Sequence, residues 1–177
     1  ALLLVSALSS PFVVLLAREK GMDGWDGLPL FLLAAGAASL LSSPFWGRFA
    51  DRSSRLTMIV SGALASAVAL AALATDAWID GDTGGWALVG LFFVLGVAHD
   101  GVRLGRKTYL VDLAGGNKRT DYVAVSNTAM GVLLLVTGAI TGAVGTTSVP
   151  AALAVLAGMG LAGAWLCLRL PEVQQPG

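Results

Sequence analysis

Gly47-Arg48-Phe49-Ala50-Asp51-Arg52-Ser53-Ser54-Arg55 is a short basic stretch with one aspartate, set between two apolar runs. A hydrocarbon core of about 30 Å takes roughly 20 helical residues at 1.5 Å each, and both runs are of that order. The stretch therefore reads as a tight cytoplasmic hairpin between two membrane helices. Working outward, spans are expected at about 1–17, 28–46, 56–75, 86–105, 122–145 and 149–170. Runs of this kind must be helical in lipid, because only a helix satisfies its own backbone polar groups. The expected fold class is all-α, a polytopic membrane protein of six transmembrane helices with a short polar tail at 171–177.

Composition agrees. Of 177 residues, 56% are hydrophobic and 12% charged, with a mean hydropathy of +0.79. A soluble domain carries about twice that charged fraction. The formal net charge is zero, which offers no basic face to nucleic acid. One cysteine, Cys167, and one histidine, His99, exclude an internal disulfide and a Cys/His metal cage. No cofactor is expected. The first residues show no signal peptide; they begin inside an apolar run, Ala1-Leu2-Leu3-Leu4-Val5, as a fragment would.

Orientation follows from Lys and Arg, which collect on the cytoplasmic side of membrane proteins. With the 47–55 hairpin inside, that side holds Arg48, Arg52, Arg55, Arg103, Arg106, Lys107, Lys118, Arg119 and Arg169, nine of the eleven basic residues. The outer side keeps Arg18 and Lys20 among Glu19, Asp23 and Asp26. Both ends of the segment are then cytoplasmic, and a prokaryotic inner (plasma) membrane is the expected location. Trp25, Trp78 and Trp86 fall at outer span ends, Trp46 and Trp165 near inner ends, as an aromatic belt requires.

The hairpin resembles the signature loop of the major facilitator superfamily of secondary transporters, G-x-x-x-D-[RK]-x-G-[RK]. Gly47, Asp51, Arg52 and Arg55 fill its positions, and Ser54 stands where glycine is usual. The resemblance implies a permease of twelve spans in two six-helix halves, each half two three-helix repeats related by pseudo-symmetry. The polar tail makes this piece more like the second half, which would need the missing six helices as its partner. Proteins of this kind move a small solute by alternating access; protons are the expected drive, with uniport or exchange left open. In the family, contacts of the signature aspartate hold the cytoplasmic side closed, so by resemblance Asp51 is a gate latch and not a substrate ligand. The stretch from Arg103 to Tyr109, followed by Asp112, Lys118 and Arg119, is similar to a Y-x-x-D with a following basic residue found between the corresponding helices. That likeness implies an inner network of Arg106, Asp112 and Arg119 with Asp51. A basic rim against anionic headgroups of the membrane lipid explains the same residues, and both readings stay open. The family's antiporters carry a Gly-Pro in the fifth helix; none occurs here.

His99, Asp100 and Arg103 form the ionisable cluster inside a span. Asp100 and Arg103 are three apart, so they share a helix face and can neutralise one another. Asp100 lies fourteen residues after Trp86, about 21 Å along the helix and past the midplane toward the inner edge. A structural ion pair and a proton-coupling site, with Asp100 or His99 taking the proton, are both consistent with that depth. Toward the midplane, Ser9-Ser10-Pro11 is expected to interrupt the first span, and discontinuous helices line cavities in such folds. Ser10 and Asn127 are the candidate cavity residues. Gly138 to Gly142 fits a small-xxx-small helix contact.

An enzyme is not expected. Asp100-Gly101 is faintly similar to the D-G-x-x-A-R of phospholipid headgroup transferases, but the Ala-Arg and the second aspartate pair are missing. There is no H-E-x-x-H and no G-x-S-x-G. A non-transporting six-span scaffold or receptor remains the alternative.

Overall fold

The computed structural model describes residues 2–22, 24, 27–114 and 119–173. Among them, a 3-10 turn at Leu2–Leu4 precedes six α-helices: α1 (Val5–Glu19), α2 (Leu28–Arg52), α3 (Ser54–Trp78), α4 (Gly81–Leu113), α5 (Arg119–Gly145) and α6 (Val149–Cys167). The described residues contain no strand. Five of the helices, α2 to α6, are long and apolar enough to cross a membrane. With 15 residues, α1 spans about 22 Å.

The hairpin is tighter than a loop. Helix α2 continues through Gly47 and Asp51 to Arg52, and Ser53 alone separates it from α3. Ser53 is extended, and its hydroxyl accepts from Leu56 N at 3.1 Å as the N-cap of α3, the arrangement that serine favours at a helix start. Ser148 caps α6 in the same way through Ala151 N, so Thr146-Thr147-Ser148 is also a minimal link.

Two expectations fail here. Helix α1 is continuous through Ser9, Ser10 and Pro11; a proline in the second turn or later loses one backbone bond, and that loss does not divide this helix. Trp46 does not belong to an interfacial belt. It is 2% exposed, and its Nε1 donates to Val97 O at 2.7 Å. Trp78, Trp86 and Trp165 are exposed, while Trp25 lies outside the described residues. Lys118 also lies outside them.

Helices α3, α4 and α6 pack together with α1, and α2 lies along α4. Small residues permit the close approach that replaces hydrophobic attraction inside lipid. On α3, Ser61, Gly62, Ala65, Ser66, Ala69 and Ala72 are buried; a Cβ at Gly160 of α6 would collide with Ser66 Oγ. Helix α2 buries one stripe, Phe31, Ala38, Ser42, Trp46 and Ala50, and exposes Leu32, Leu33, Leu40, Leu41 and Phe45. Helix α5 stands apart: of its described side chains only Met130 and Thr141 are buried. Its close approach to α1 is at Gly145, whose Cβ would lie 2.6 Å from the Phe12 ring; at Gly142 there is open space and at Gly138 ordinary contact. At the end opposite the hairpin, Lys20 joins α1 to α3 and α4, with its Nζ 3.6 Å from Asp76 and 3.7 Å from Asp80.

Candidate functional site

A carboxylate inside an apolar helix must be paired or face a polar cavity, and Asp100 of α4 does both. Its Oδ1 lies 3.1 Å from Arg103 Nη2 one turn along. Its Oδ2 accepts from Ser39 Oγ at 2.7 Å and from Ser42 Oγ at 3.1 Å, both on α2. Ser39 and Ser42 are three apart, so they present hydroxyls from one helix face. They stand thirteen and ten residues before Arg52, which places the carboxylate about 15–20 Å inside the hairpin end of α2. The Asp100 side chain is 12% exposed, whereas Arg103 is 54% exposed. The aspartate is thus held by the protein, and the arginine reaches past it.

Around this pair, Ser43, Trp46, Gly47, Asp100, Arg103, Leu104 and Lys107 line a cavity of about 370 Å³ between α2 and α4. One carboxylate and two cations share that space. His99 points the other way, toward α1, where its Nδ1 shares a 3.0 Å hydrogen bond with Ser6 Oγ. The adjacent ionisable residues therefore tie α4 to two different helices.

At the hairpin, the signature residues divide. Arg55 donates to Leu168 O at 2.6 Å and to Cys167 O at 3.3 Å, closing the C-terminal end of α6 where carbonyls lack helical partners and cations are favoured. Ser53 Oγ donates to Glu172 Oε2 at 2.7 Å, and Tyr109 OH donates to Pro171 O at 3.1 Å. Arg55 therefore acts within this bundle, fastening α3 to α6. Asp51 and Arg52 are exposed. Among the described residues no ion pair reaches Asp51, and a Cβ at Gly47 would meet nothing within 4 Å.

The other candidates are dispersed. Arg106 Nη1 donates to Asn127 Oδ1 on α5 at 3.2 Å, which joins two residues that the sequence placed in different groups. Asp112 is exposed in the last turn of α4, and the side chain of Arg119 lies outside the described residues. Ser10 is partly buried on α1. Ser39, Ser42, Ser6 and Glu172 belong to no motif. The single sequence signal for the first two is a pair of hydroxyls at helical spacing in an otherwise apolar run.

No curated protein and no solved structure matches the chain. The family model for the Major Facilitator Superfamily matches residues 2–177, nearly the whole length. With that match, the helical bundle and the signature hairpin together, the chain belongs to the Major Facilitator Superfamily of membrane transporters.

Proposed function

We propose that this chain is one six-helix half of a twelve-helix permease that carries a small solute by alternating access, driven by protons. The observation that carries the coupling is Asp100, a carboxylate held inside a membrane helix by two hydroxyls and one exposed arginine. In this mechanism a proton arriving from one side binds Asp100 Oδ1, and Arg103 turns to water along its long side chain. The proton leaves to the other side once access has switched, and the ion pair reforms. The hydroxyls of Ser39 and Ser42 hold the carboxyl in place through both states, because a hydroxyl can donate or accept.

The exposed apolar faces of α2 and α5 suit contact with lipid and with the other six helices. Asp51, exposed at the end of α2, and the open space at Gly47 suit a latch that closes against that other half on the cytoplasmic side. Arg106, Asp112 and Arg119 would contribute to the same inner network, and Ser10 and Asn127 to the solute path. His99 supports this arrangement by holding α4 to α1. The half does not transport by itself, since a cavity between two halves has one wall missing.

The test is flux. The complete permease, reconstituted in vesicles with a proton gradient, is expected to acidify or alkalinise the lumen only when its solute is supplied from a panel of sugars, organic acids and drugs. A complete protein that binds a member of the panel yet moves neither it nor protons would support the scaffold reading instead. Orientation has its own measurement. Ser53 is buried, so the exposed neighbour is the reporter: Arg52→Cys is expected to react with an impermeant thiol reagent only in inside-out vesicles. Labelling from outside intact cells would invert the topology and remove the latch.

A further inference from the structure

At the hairpin end, a second cavity of about 430 Å³ opens between α3, α4, α5 and α6. Its walls are apolar, with Met58, Val102, Met130, Leu133 and Leu166 among them, and one cation enters it, Arg106. On the α5 side Ala129 and Leu133 are exposed, so the space is open at the surface of this six-helix bundle. Arg106 sits seven residues before the end of α4, about 10 Å from it, which is headgroup-proximal depth for a helix of this length. Its Nη1 is used by Asn127. Its Nε is shut off from solvent and, among the described residues, has no hydrogen-bond partner.

A buried donor without an acceptor is unfavourable, and more so on a charged group. A small shift of this side chain would open Nε to an oxygen acceptor, and guanidinium groups favour phosphate oxygens, which engage two N–H groups together. A neutral hydrophobe would fill the walls and leave Nε unpaired. A small hydrophilic anion would satisfy Nε and leave the apolar walls wet. An amphipathic anion does both.

We propose that this cavity binds one anionic phospholipid, its phosphate on Arg106 and the start of an acyl chain against Met58, Met130 and Leu133. The site is separate from the Asp100 cavity, and the proposal does not depend on proton coupling. Bound there, the lipid fills the gap left where α5 stands off from the rest of the bundle.

The test uses the complete protein in vesicles of phosphatidylcholine and phosphatidylglycerol, doped with a phosphatidylglycerol carrying an acyl-chain diazirine. A phosphatidylcholine probe with the same chain serves as its match. After irradiation, the anionic probe is expected to label residues 129–133 well above the zwitterionic one. Arg106→Gln is expected to lower that labelling about tenfold, the scale of one charge-assisted contact, and Arg106→Lys to lower it less. Ala129→Trp, which fills the cavity and keeps the arginine, is expected to lower it equally; it decides the matter if Arg106→Gln does not fold. Labelling of the exposed Leu40 and Leu41 face is the internal reference and should not change. Equal labelling of residues 129–133 by both probes, or no loss in Ala129→Trp, overturns the proposal. Full displacement by millimolar inorganic phosphate would identify a free-anion site and overturn it as well.

Discussion

An Asp100→Asn permease is expected to fold and reach the membrane, and to lose proton-driven accumulation down to the level of empty vesicles. Asparagine nearly matches aspartate in shape. Its amide oxygen can still accept from Ser39 or Ser42, whose hydroxyls lie 2.7 and 3.1 Å from the native carboxylate. What goes is the charge, and with it the ability to carry a proton. Losing charged hydrogen bonds costs about 1.5–3 kcal/mol each at most, and Arg103, already more than half exposed, recovers part of this by reaching water. The stability loss is therefore modest, and the coupling loss complete. Counterflow of solute without a gradient is expected to survive. Accumulation against counterflow, measured in the same vesicles, separates the two. Full pH-dependent accumulation by Asp100→Asn would remove the coupling role, and loss of counterflow along with accumulation would make the residue structural.

Gly101→Val is expected to prevent assembly of the bundle. A Cβ at Gly101 would lie 2.6 Å from Trp46 Cε2 and 2.7 Å from Ser61 Cβ, so three helices meet there: α2, α3 and α4. The indole cannot retreat. It is buried, and its Nε1 is fixed to Val97 O. One added methyl in such a place costs about 1–3 kcal/mol, offset by about 1 kcal/mol of helix propensity when glycine becomes alanine. Gly101→Ala is thus expected to be tolerated with a lower thermal midpoint. Valine adds two further carbons to a rigid wall, and no monodisperse protein is expected in detergent. Gly36→Val is the control, because a Cβ there would meet nothing within 4 Å. Equal thermal midpoints for Gly101→Val and Gly36→Val would show that the three-helix junction is wrong.

Five helices able to cross a membrane, α2 to α6, were legible because length and hydropathy alone decide whether a run can lie in lipid; the first expected span is the 15-residue α1, which is shorter. Their ends were less so. Helix α2 runs on through Arg48 and Arg52, and α4 extends from Gly81 to Leu113, since charged residues are good helix formers once outside the hydrocarbon. Proline misled in the other direction: Pro11 lies within a continuous α1, where the fold tolerates the lost backbone bond. Trp46 reads by position as interfacial and is instead the buried partner of Gly101. Span ends carry belt residues and core residues alike, and only the neighbours distinguish them.

From the residues in order came the membrane class, the helical spans, and the hairpin around Asp51 with its family. These are local properties, set by the hydropathy, charge and spacing of residues close in the chain. Partnership belongs to the tertiary structure alone. Packing α2 against α4 brings Ser39 and Ser42 to Asp100, packing α3 against α6 turns Arg55 into a helix cap, and the gap beside α5 leaves Arg106 facing an apolar cavity. Each of these contacts joins residues distant in the chain, and which faces of two apolar helices meet is decided by small residues and shape, which hydropathy does not encode.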